Sequence, residues 1–308
     1  MSVLVGTAGW ADKDLIASGW YPAQVRKPAD RLRYYAGQFP LVEVDSSYYA
    51  IPRRSVVEGW AQIEPDAPDQ SDAPDTPGMR GMPGTFVMDV KAYSLLTGHR
   101  TRVASLPSDL QEAGAKDGAW INGGAASDAL VDEAWRRFHD ACEPLRTAER
   151  LGLIVLQFPP ACRPGGAGEQ QIEAALEHCA PLRAAVEFRH GSWLAPQQRD
   201  RTLDLLRAHG AAYVCVDMPQ GHTGAVPPLL AVTSDKAIIR LHGRSKAWVG
   251  GSKEDRYRYE YEPDELAQWA NHARELARHV DEVHVVVNTC CAGAAQRDAA
   301  RLRDLLAS

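Results

Sequence analysis

The sequence lacks the patterns that would place it in several common protein classes. No apolar run approaches the ~20 residues that a helix needs to cross a bilayer. The segment Met1–Gly6 has no basic stretch followed by an apolar one, as a signal peptide would. We therefore expect no membrane partner and a cytoplasmic location. The G-x-G-x-x-G turn of an open dinucleotide-binding sheet is also absent, and we expect no organic cofactor.

The sequence has few cysteines and no excess of positive charge. The six cysteines include no C-x-x-C pair, and in a cytosolic protein of this size we expect reduced thiols. They are Cys142, Cys162, Cys179, Cys215, Cys290 and Cys291. The adjacent Cys290 and Cys291 leave a redox hypothesis open, although small reduced loop residues are the plainer interpretation. The net charge of −6 argues against a surface that is basic throughout, but it is compatible with a local basic pocket.

The alternation of apolar runs with helical patterns predicts the fold. With 45% hydrophobic residues among 308, the chain can build a large core. Eight short runs rich in Val, Ile and Leu recur, most of them followed by a helical pattern. Near-continuous apolar strands are typical of a parallel sheet that is covered on both faces. The sequence thus predicts an α/β protein, a single-domain (β/α)8 TIM barrel over residues 1–308, which we expect to be a monomer or a weak homo-oligomer.

The predicted elements have the following bounds. The strands are Val3–Val5, Leu41–Val44, Thr85–Val90, Leu153–Leu156, Ala184–Phe188, Ala212–Val216, Ala237–Leu241 and Val283–Val287. The helices are Ala29–Gln38, Arg53–Gln62, Asp128–Ala148, Glu169–Cys179, Pro196–His209, Pro263–His279 and Ala294–Ala307.

Two segments interrupt this rhythm. Glu64–Gly84 is rich in Pro, Asp and Gly and has few large apolar side chains. It cannot bury enough surface to offset its ordering entropy, so we predict a mobile surface insertion. Tyr93–Gly124 is a long connection after the third predicted strand, and long loops at that end of a barrel often form part of an active site.

Polar side chains follow the apolar core residues at the ends of several predicted strands. Because side chains alternate between faces with period two, the pairs that share a face are Glu43 with Asp45, Asp89 with Lys91, Glu187 with Arg189, Cys215 with Asp217, and Arg240 with His242, while Gln157 and Asn288 end two further strands. Ionised groups inside a barrel are destabilising unless paired, whereas its C-terminal mouth is where catalytic residues normally lie. We therefore predict one pocket at that mouth. An internal salt-bridge network, for example between Glu187 and Arg240, is the structural alternative.

The residue types at these positions predict their roles. The catalytic candidates are Glu43, Glu187, Asp217 and His242. The candidates for clamping a phosphate or carboxylate are Lys91, Arg189, Arg240 and Arg244. The imidazoles of His99 and His190 would line the pocket, and the rings of Trp10, Tyr48, Trp193 and Tyr259 would stack on a sugar or a base. We interpret Tyr257 and Tyr261 as loop anchors. A divalent metal stays open, because the ligand types suit one but neither H-x-H nor H-E-x-x-H spacing occurs.

Several motifs together resemble one known family. They are Gly6-Thr-Ala-Gly-Trp10, Tyr21-Pro22, Arg31-Leu-Arg-Tyr-Tyr35, Val42-Glu-Val-Asp-Ser-Ser-Tyr-Tyr49, Val90-Lys91, Leu156-Gln-Phe-Pro-Pro160, Val186-Glu-Phe-Arg-His190 with Ser192-Trp193, Arg240-Leu-His-Gly-Arg244, and the Asn288 to Ala294 end. The chain resembles the YecE-like family, domain of unknown function 72, over essentially its whole length apart from Glu64–Gly84. It departs from the family pattern at Thr289 and Asp298, where the family usually has Asn.

The resemblance implies a TIM barrel similar in fold to sugar-isomerase and endonuclease-IV-like barrels, but no settled activity. It implies a pocket built from Trp10, Glu43, Lys91, Gln157, Glu187, Arg189, Arg240, His242 and Asn288.

Three functions follow as hypotheses. The first is a hydrolase or isomerase for a small anionic ligand, a phosphate- or carboxylate-bearing sugar-like molecule or nucleotide, or a nucleic-acid fragment, with or without a divalent metal. The second is a non-catalytic module that binds nucleic acid or a nucleotide. The third is redox chemistry through Cys215, Cys290 and Cys291.

Overall fold

The computed structural model describes residues 2–66, 86–111, 118–222, 224–289 and 292–308. The predicted insertion Glu64–Gly84 lies almost wholly outside the described residues, as do Cys290 and Cys291. The strands are β1 (Ser2–Ala8), β2 (Leu41–Val44), β3 (Val87–Lys91), β4 (Thr101–Arg102), β5 (Trp120–Ile121), β6 (Leu151–Gln157), β7 (Ala184–Glu187), β8 (Ala212–Asp217), β9 (Lys236–Leu241) and β10 (Glu282–Val287). The helices are α1 (Lys13–Ala17), α2 (Pro28–Gln38), α3 (Arg54–Ala61), α4 (Asp128–Thr147), α5 (Gly166–Cys179), α6 (Arg199–Ala208), α7 (Lys253–Arg256), α8 (Pro263–Ala277) and α9 (Ala294–Ala307).

Eight parallel strands close into a barrel, in the order β1-β10-β9-β8-β7-β6-β3-β2. This confirms the predicted (β/α)8 TIM barrel. Closure brings strands from the two ends of the chain together, since Gly6 of β1 pairs with Val286 of β10 on one side and with Leu41 of β2 on the other. A Cβ atom at Gly6 would lie 1.9 Å from the carbonyl oxygen of Leu41, so only glycine permits this approach. None of the helices in the described ranges combines the length and apolar composition of a bilayer crossing.

The helices α4, α8 and α9 begin at the predicted residues, whereas α5 begins three residues before its predicted start and α6 three residues after it. Ser127 accepts a hydrogen bond from the backbone N–H of Leu130 and so caps α4, as expected for serine at an N-cap. In α8, Pro263 occupies the first turn, and Glu262 and Glu265 form a capping box that satisfies two otherwise unpaired N–H groups. The apolar faces of these helices are buried against the strands. The barrel ends are thereby held in a defined geometry.

The interior of the barrel is identified by a contact that crosses it. Arg240 of β9 hydrogen-bonds to Glu43 of β2 and to Glu187 of β7, two strands that do not neighbour β9. Residues paired in a parallel ladder point to the same face. Since Val216 pairs with Arg240 and Asp217 with Leu241, Asp217 points away from the barrel interior.

A second polar layer lies toward the N-terminal ends of the strands. His284 Nδ1 is 2.9 Å from both carboxylate oxygens of Asp89, and Asp89 Oδ1 also accepts a hydrogen bond from Leu153 N at 2.7 Å. His284 Nε2 is 2.9 Å from Glu282 Oε1, which in turn contacts Lys236 Nζ. Asp89 therefore belongs to this lower layer, although it shares a face with Lys91 of the mouth.

The connection Tyr93–Gly124 carries structure that the sequence patterns did not predict. It contains a two-stranded antiparallel sheet of β4 and β5 and several 3-10 turns, including Ser94–Thr97. Gly98 has φ +75°, and Gly123 packs so closely on it that a Cβ atom there would lie 2.3 Å from the Gly98 carbonyl carbon. This connection positions His99, which directly follows Gly98.

Candidate functional site

Arg240 occupies the centre of the upper layer. Its Nε donates to Glu43 Oε2 at 2.8 Å and its Nη2 to Glu43 Oε1 at 2.6 Å, while Nη1 contacts Glu187 Oε2. All three side chains have no solvent exposure. Both oxygens of Glu43 are used by one guanidinium, in the bidentate geometry for which arginine is suited. The predicted structural alternative, an ion pair between Glu187 and Arg240, is therefore present.

Glu187 contacts polar side chains that two other strands contribute, β6 and β9. In addition to the Arg240 contact, its Oε1 accepts a hydrogen bond from Gln157 Nε2 at 2.8 Å and lies 3.1 Å from His242 Nε2, which follows β9. Burial would raise its pKa, but the charges of Arg189 and Arg240 outweigh burial and hold the pKa well below its usual range. Burial raises the pKa of Glu43 despite the opposing charge of Arg240. Neither carboxylate has the free, accessible oxygen that a general base requires.

His242 is a neutral imidazole with both nitrogens engaged. Burial, followed by the charge of Arg189, lowers its pKa to about 3. Nε2 faces the Glu187 carboxylate, which only accepts, so Nε2 carries the proton. Nδ1 then accepts a hydrogen bond from Asn288 Nδ2 at 2.9 Å. His242 and Asn288 thus orient Glu187, and His242 is not free to exchange a proton with a ligand.

The rim above this layer carries Lys91 and its partners. Lys91 Nζ donates to Asp45 Oδ1 at 2.8 Å and lies 4.5 Å from the centroid of the Tyr48 ring. The Tyr48 ring packs edge-on against His99 with centroids 5.2 Å apart. His99 Nδ1 lies 2.9 Å from Thr97 Oγ1. Burial, then the charges of Lys91 and Arg189, lowers the pKa of His99 to about 4, so its imidazole is neutral near pH 7.

Arg189 reaches the same rim from the end of β7. Its Nε lies 2.5 Å from Glu187 Oε1, as an ion pair whose angle is not that of a hydrogen bond. Its Cζ lies 6.0 Å from the centroid of the Trp248 ring. Burial alone would lower the pKa of Arg189. The charge of Glu187 and the contact with Tyr257 outweigh burial and raise this pKa above its usual value, so Arg189 stays charged. The side chain of Arg189 is 12% exposed to solvent, whereas that of Arg240 is fully buried.

Asp217, Arg244 and Tyr259 form a separate cluster. Arg244 Nε lies 3.0 Å from each oxygen of Asp217, and Nη1 donates to Glu265 at 2.6 Å. Tyr259 OH donates to the same Glu265 carboxylate at 2.9 Å. Because Asp217 shares its face with Leu241 rather than with Arg240, the prediction that it joins Glu43 and Glu187 was wrong. Burial raises the pKa of Asp217.

Trp193 is a core residue, which corrects the expectation that it stacks on a ligand. It is 1% exposed, its ring stacks on Phe188 with centroids 4.9 Å apart, and its Nε1 donates to the carbonyl of Cys162 at 2.9 Å. No ring face is left for a ligand. Trp10 is also buried, and its ring packs edge-on against Trp60 of α3 at 5.4 Å.

His190 serves the local backbone. Its Nδ1 lies 2.7 Å from Ser192 Oγ and accepts from Ser192 N at 3.3 Å, which caps the 3-10 turn Gly191–Leu194. This explains the residue without a ligand.

The structure thus gathers most of the predicted site residues at the mouth. Those brought together are Tyr48, Lys91, His99, Gln157, Glu187, Arg189, Glu43, Arg240, His242 and Asn288. Tyr257, interpreted from the sequence as a loop anchor, lies with Trp248 beside His242, at centroid distances of 6.2 and 6.3 Å. Tyr257 and Trp248 both lie in the loop that follows Arg240 and His242, and this position in the sequence could have identified them as residues of the mouth.

No metal-binding group emerges from the described part of the chain, where no three His, Cys, Asp or Glu side chains converge as ligands. The donor chemistry explains this at the mouth. Arg240 takes up both oxygens of Glu43, and Asp217 points elsewhere. Cys215 is buried and its pKa is raised by burial to about 12, so its thiol is not the reactive thiolate that redox chemistry needs.

Comparison with known proteins gives consistent matches over the whole chain. Residues 4–308 match a family model described as "Protein of unknown function DUF72". The UPF0759 protein YunF of Bacillus subtilis is 29% identical, over 99% of this chain and 94% of its own. Among solved structures, the DUF72 family protein TM1631 from Thermotoga maritima is 29% identical with a TM-score of 0.74, covering all of both chains. The DUF72 family protein EF0366 from Enterococcus faecalis, 21% identical with a TM-score of 0.74 over 99% and 95% of the chains, shows likeness of fold alone.

Proposed function

The chain belongs to the DUF72 family of unknown function, and we propose that the mouth of its barrel is the active site of a hydrolase or isomerase that acts on a small ligand bearing a phosphate or carboxylate. One observation carries the proposal. Lys91 and Arg189 stand at the rim, above a layer in which Arg240 already neutralises Glu43. The two rim cations are the part of this network that an incoming anion can reach.

The electrostatics of the rim support anion binding. Lys91 and Arg189 each lower the pKa of His99, and Arg189 also lowers that of His242. The charge of Arg189 therefore acts, in addition to burial, on two imidazoles in different connections, one before β4 and one after β9. An anion bound there would gain charge-assisted hydrogen bonds in a partly desolvated site, where these are strong.

His99 is the group best suited to transfer a proton. It is half-buried, its imidazole is neutral, and in the described part of the chain its Nε2 has no hydrogen-bond partner. A bound anion would offset the charges of Lys91 and Arg189 and so raise the pKa of His99 toward 6.5, the range useful to a general base. In this assignment Glu43 and Glu187 are positioning residues that fix Arg240 and Arg189.

A non-catalytic binding module is the second candidate, favoured by a feature beside the mouth. The Cζ atoms of Arg100 and Arg102 lie 4.7 and 5.0 Å from the centroid of the exposed Trp120 ring. Arg100 directly follows His99, so this pair of cations extends the positive rim. Such a surface suits the backbone and bases of a nucleic-acid fragment.

Calorimetric titration with inorganic phosphate, and with malonate as the carboxylate probe, tests the proposal. Lys91→Gln and Arg189→Gln should each weaken binding about tenfold or more, the equivalent of about 1.4 kcal/mol. Arg278→Gln is the matched control, because it removes an exposed arginine after α8, at the opposite end of the barrel, and should change nothing. If neither anion binds, or if all three variants bind alike, the proposal is wrong.

A further variant separates the enzyme from the binding module. His99→Gln should leave anion affinity within about twofold, a difference of about 0.4 kcal/mol, while abolishing turnover in a screen of phosphate esters and sugar phosphates. If the His99→Gln variant still turns over substrate, His99 is not the group that transfers the proton. Binding without turnover in the unmodified protein would favour the module.

A further inference from the structure

A groove adjoins the mouth on the side of β8 and β9. It has a volume of about 550 Å³ and lies between the connection after β8 and the segment after β9. Much of its wall is apolar, contributed by Met218, Pro219, Pro228, Trp248 and Val249. Its polar lining residues are Asp217, Gln220, His222, Arg244, Ser245 and Lys246. The volume is in the range of a small-molecule site, and the groove offers both apolar surface and hydrogen-bonding groups.

Trp248 makes the groove continuous with the anion-binding rim. It lines the groove, and its ring centroid also lies 6.0 Å from Arg189 Cζ and 6.3 Å from the His242 ring. Gly224 provides a second link, because a Cβ atom there would lie 3.7 Å from the Arg189 carbonyl oxygen and 3.9 Å from Nδ1 of the groove residue His222. Arg189 therefore lies next to the part of the groove wall that Trp248 and His222 form.

Arg244 supplies a polar contact inside the groove. Asp217 holds its Nε and Glu265 holds its Nη1, so the guanidinium is fixed before any ligand arrives. Its Nη2 has no hydrogen bond to any described residue. Two carboxylates face this one guanidinium, so it suits a neutral acceptor such as a ring nitrogen or carbonyl better than a second anionic group.

We propose that the groove holds a planar, nitrogen-bearing aromatic ring that is joined to the anionic group bound by Lys91 and Arg189, so that the ligand is a nucleotide. The ring stacks on Trp248, and Arg244 Nη2 donates to an acceptor on the ring edge. This inference rests on the proposed function, since it assumes that the rim binds the anion. It adds the class of the ligand and names Trp248 and Arg244 as the residues that determine specificity for it.

Calorimetry with three probes tests the inference: inorganic phosphate, ribose 5-phosphate and adenosine monophosphate. Base stacking on an aromatic side chain should make the nucleotide bind about tenfold or more tighter than ribose 5-phosphate. Trp248→Leu should abolish the preference for the nucleotide over ribose 5-phosphate. Because the Trp248 ring also lies near Arg189, the readout is the ratio of these two affinities within the variant. Val56→Ala is the control, because Val56 is an exposed apolar residue of α3 outside the groove. The control variant should still bind the nucleotide more tightly than ribose 5-phosphate.

Arg244→Lys provides a second variant that keeps the charge. It should weaken nucleotide binding several-fold without changing phosphate binding. If phosphate binds but the nucleotide is no tighter than ribose 5-phosphate, or if Trp248→Leu has no effect in a protein that melts like the unmodified one, the inference is wrong and the proposed function stands. If neither phosphate nor malonate binds, the proposed function itself fails, and the inference with it.

Discussion

Arg240 and Glu43 form a bidentate ion pair across the interior of the barrel, with Nε and Nη2 donating to the two carboxylate oxygens at 2.8 and 2.6 Å. Neither side chain is exposed. A buried pair of this kind contributes little net stability compared with an apolar pair of the same shape, but breaking it leaves an uncompensated buried charge. The pair therefore ties the upper layer of the mouth to the stability of the whole barrel.

Arg240→Met should destabilise the protein strongly, because Glu43 and Glu187 would both lose their central partner. Removing one member of a buried ion pair typically costs about 3–5 kcal/mol of unfolding free energy. Urea denaturation measures the loss. Arg136→Met is the control, since Arg136 pairs with Glu133 and Asp140 on the exposed face of α4 and such pairs contribute at most about 1 kcal/mol. Equal losses for the two variants would contradict the role assigned to Arg240.

The pair of His284 and Asp89 predicts a loss of stability at alkaline pH. Burial alone would lower the pKa of His284, but the charge and hydrogen bonds of Asp89 raise it to about 9. The pKa of a histidine in the unfolded chain is about 6.5. Protonated His284 therefore stabilises the folded state in full below pH 6.5, and this stabilisation is lost as pH rises through about 9. The shift corresponds to about 3 kcal/mol. Unfolding free energy measured from pH 6 to 10 should fall accordingly, and His284→Asn should flatten the curve.

His242 should remain neutral across the physiological range, with its proton on Nε2. Its pKa of about 3 and its hydrogen bond from Asn288 both predict this state. Nitrogen-15 NMR of the imidazoles reports tautomer and charge directly. His178 is the internal reference, since its hydrogen bond with Asp132 raises its pKa despite partial burial, and it should titrate at a higher pH than usual. An imidazolium signal from His242 at pH 6 would overturn the assignment.

Much of the barrel could be predicted because its signal is local. Each strand is a run of apolar residues, and helices such as α9 have the predicted bounds, Ala294–Ala307. The position of Glu43, Glu187 and Arg240 at the ends of apolar runs also placed them at one end of the barrel. The ion pair between Glu187 and Arg240 was an alternative that the residue types suggested.

The errors arose where the deciding contact is not local. Asp217 shares a face with Cys215 as predicted, but β8 is apolar on both faces, so its sequence does not say which face looks inward. Asp89 lies in the interior because it pairs in register with Glu43, and its partner His284 lies 195 residues away in the chain. A loop tryptophan such as Trp193 can pack into the core or face a ligand, and only the position of Phe188 and the Cys162 carbonyl decides this.

The most direct test of the account is the pKa of His99, followed by NMR with and without phosphate at matched ionic strength. Burial and the charges of Lys91 and Arg189 lower this pKa to about 4 in the free protein. If phosphate binds between these cations, it should raise the pKa of His99 by about one unit or more, toward 6.5, and Lys91→Gln should reduce the effect. A His99 titration that phosphate leaves unchanged, or a free-protein pKa already near 6.5, would contradict an anion-binding mouth.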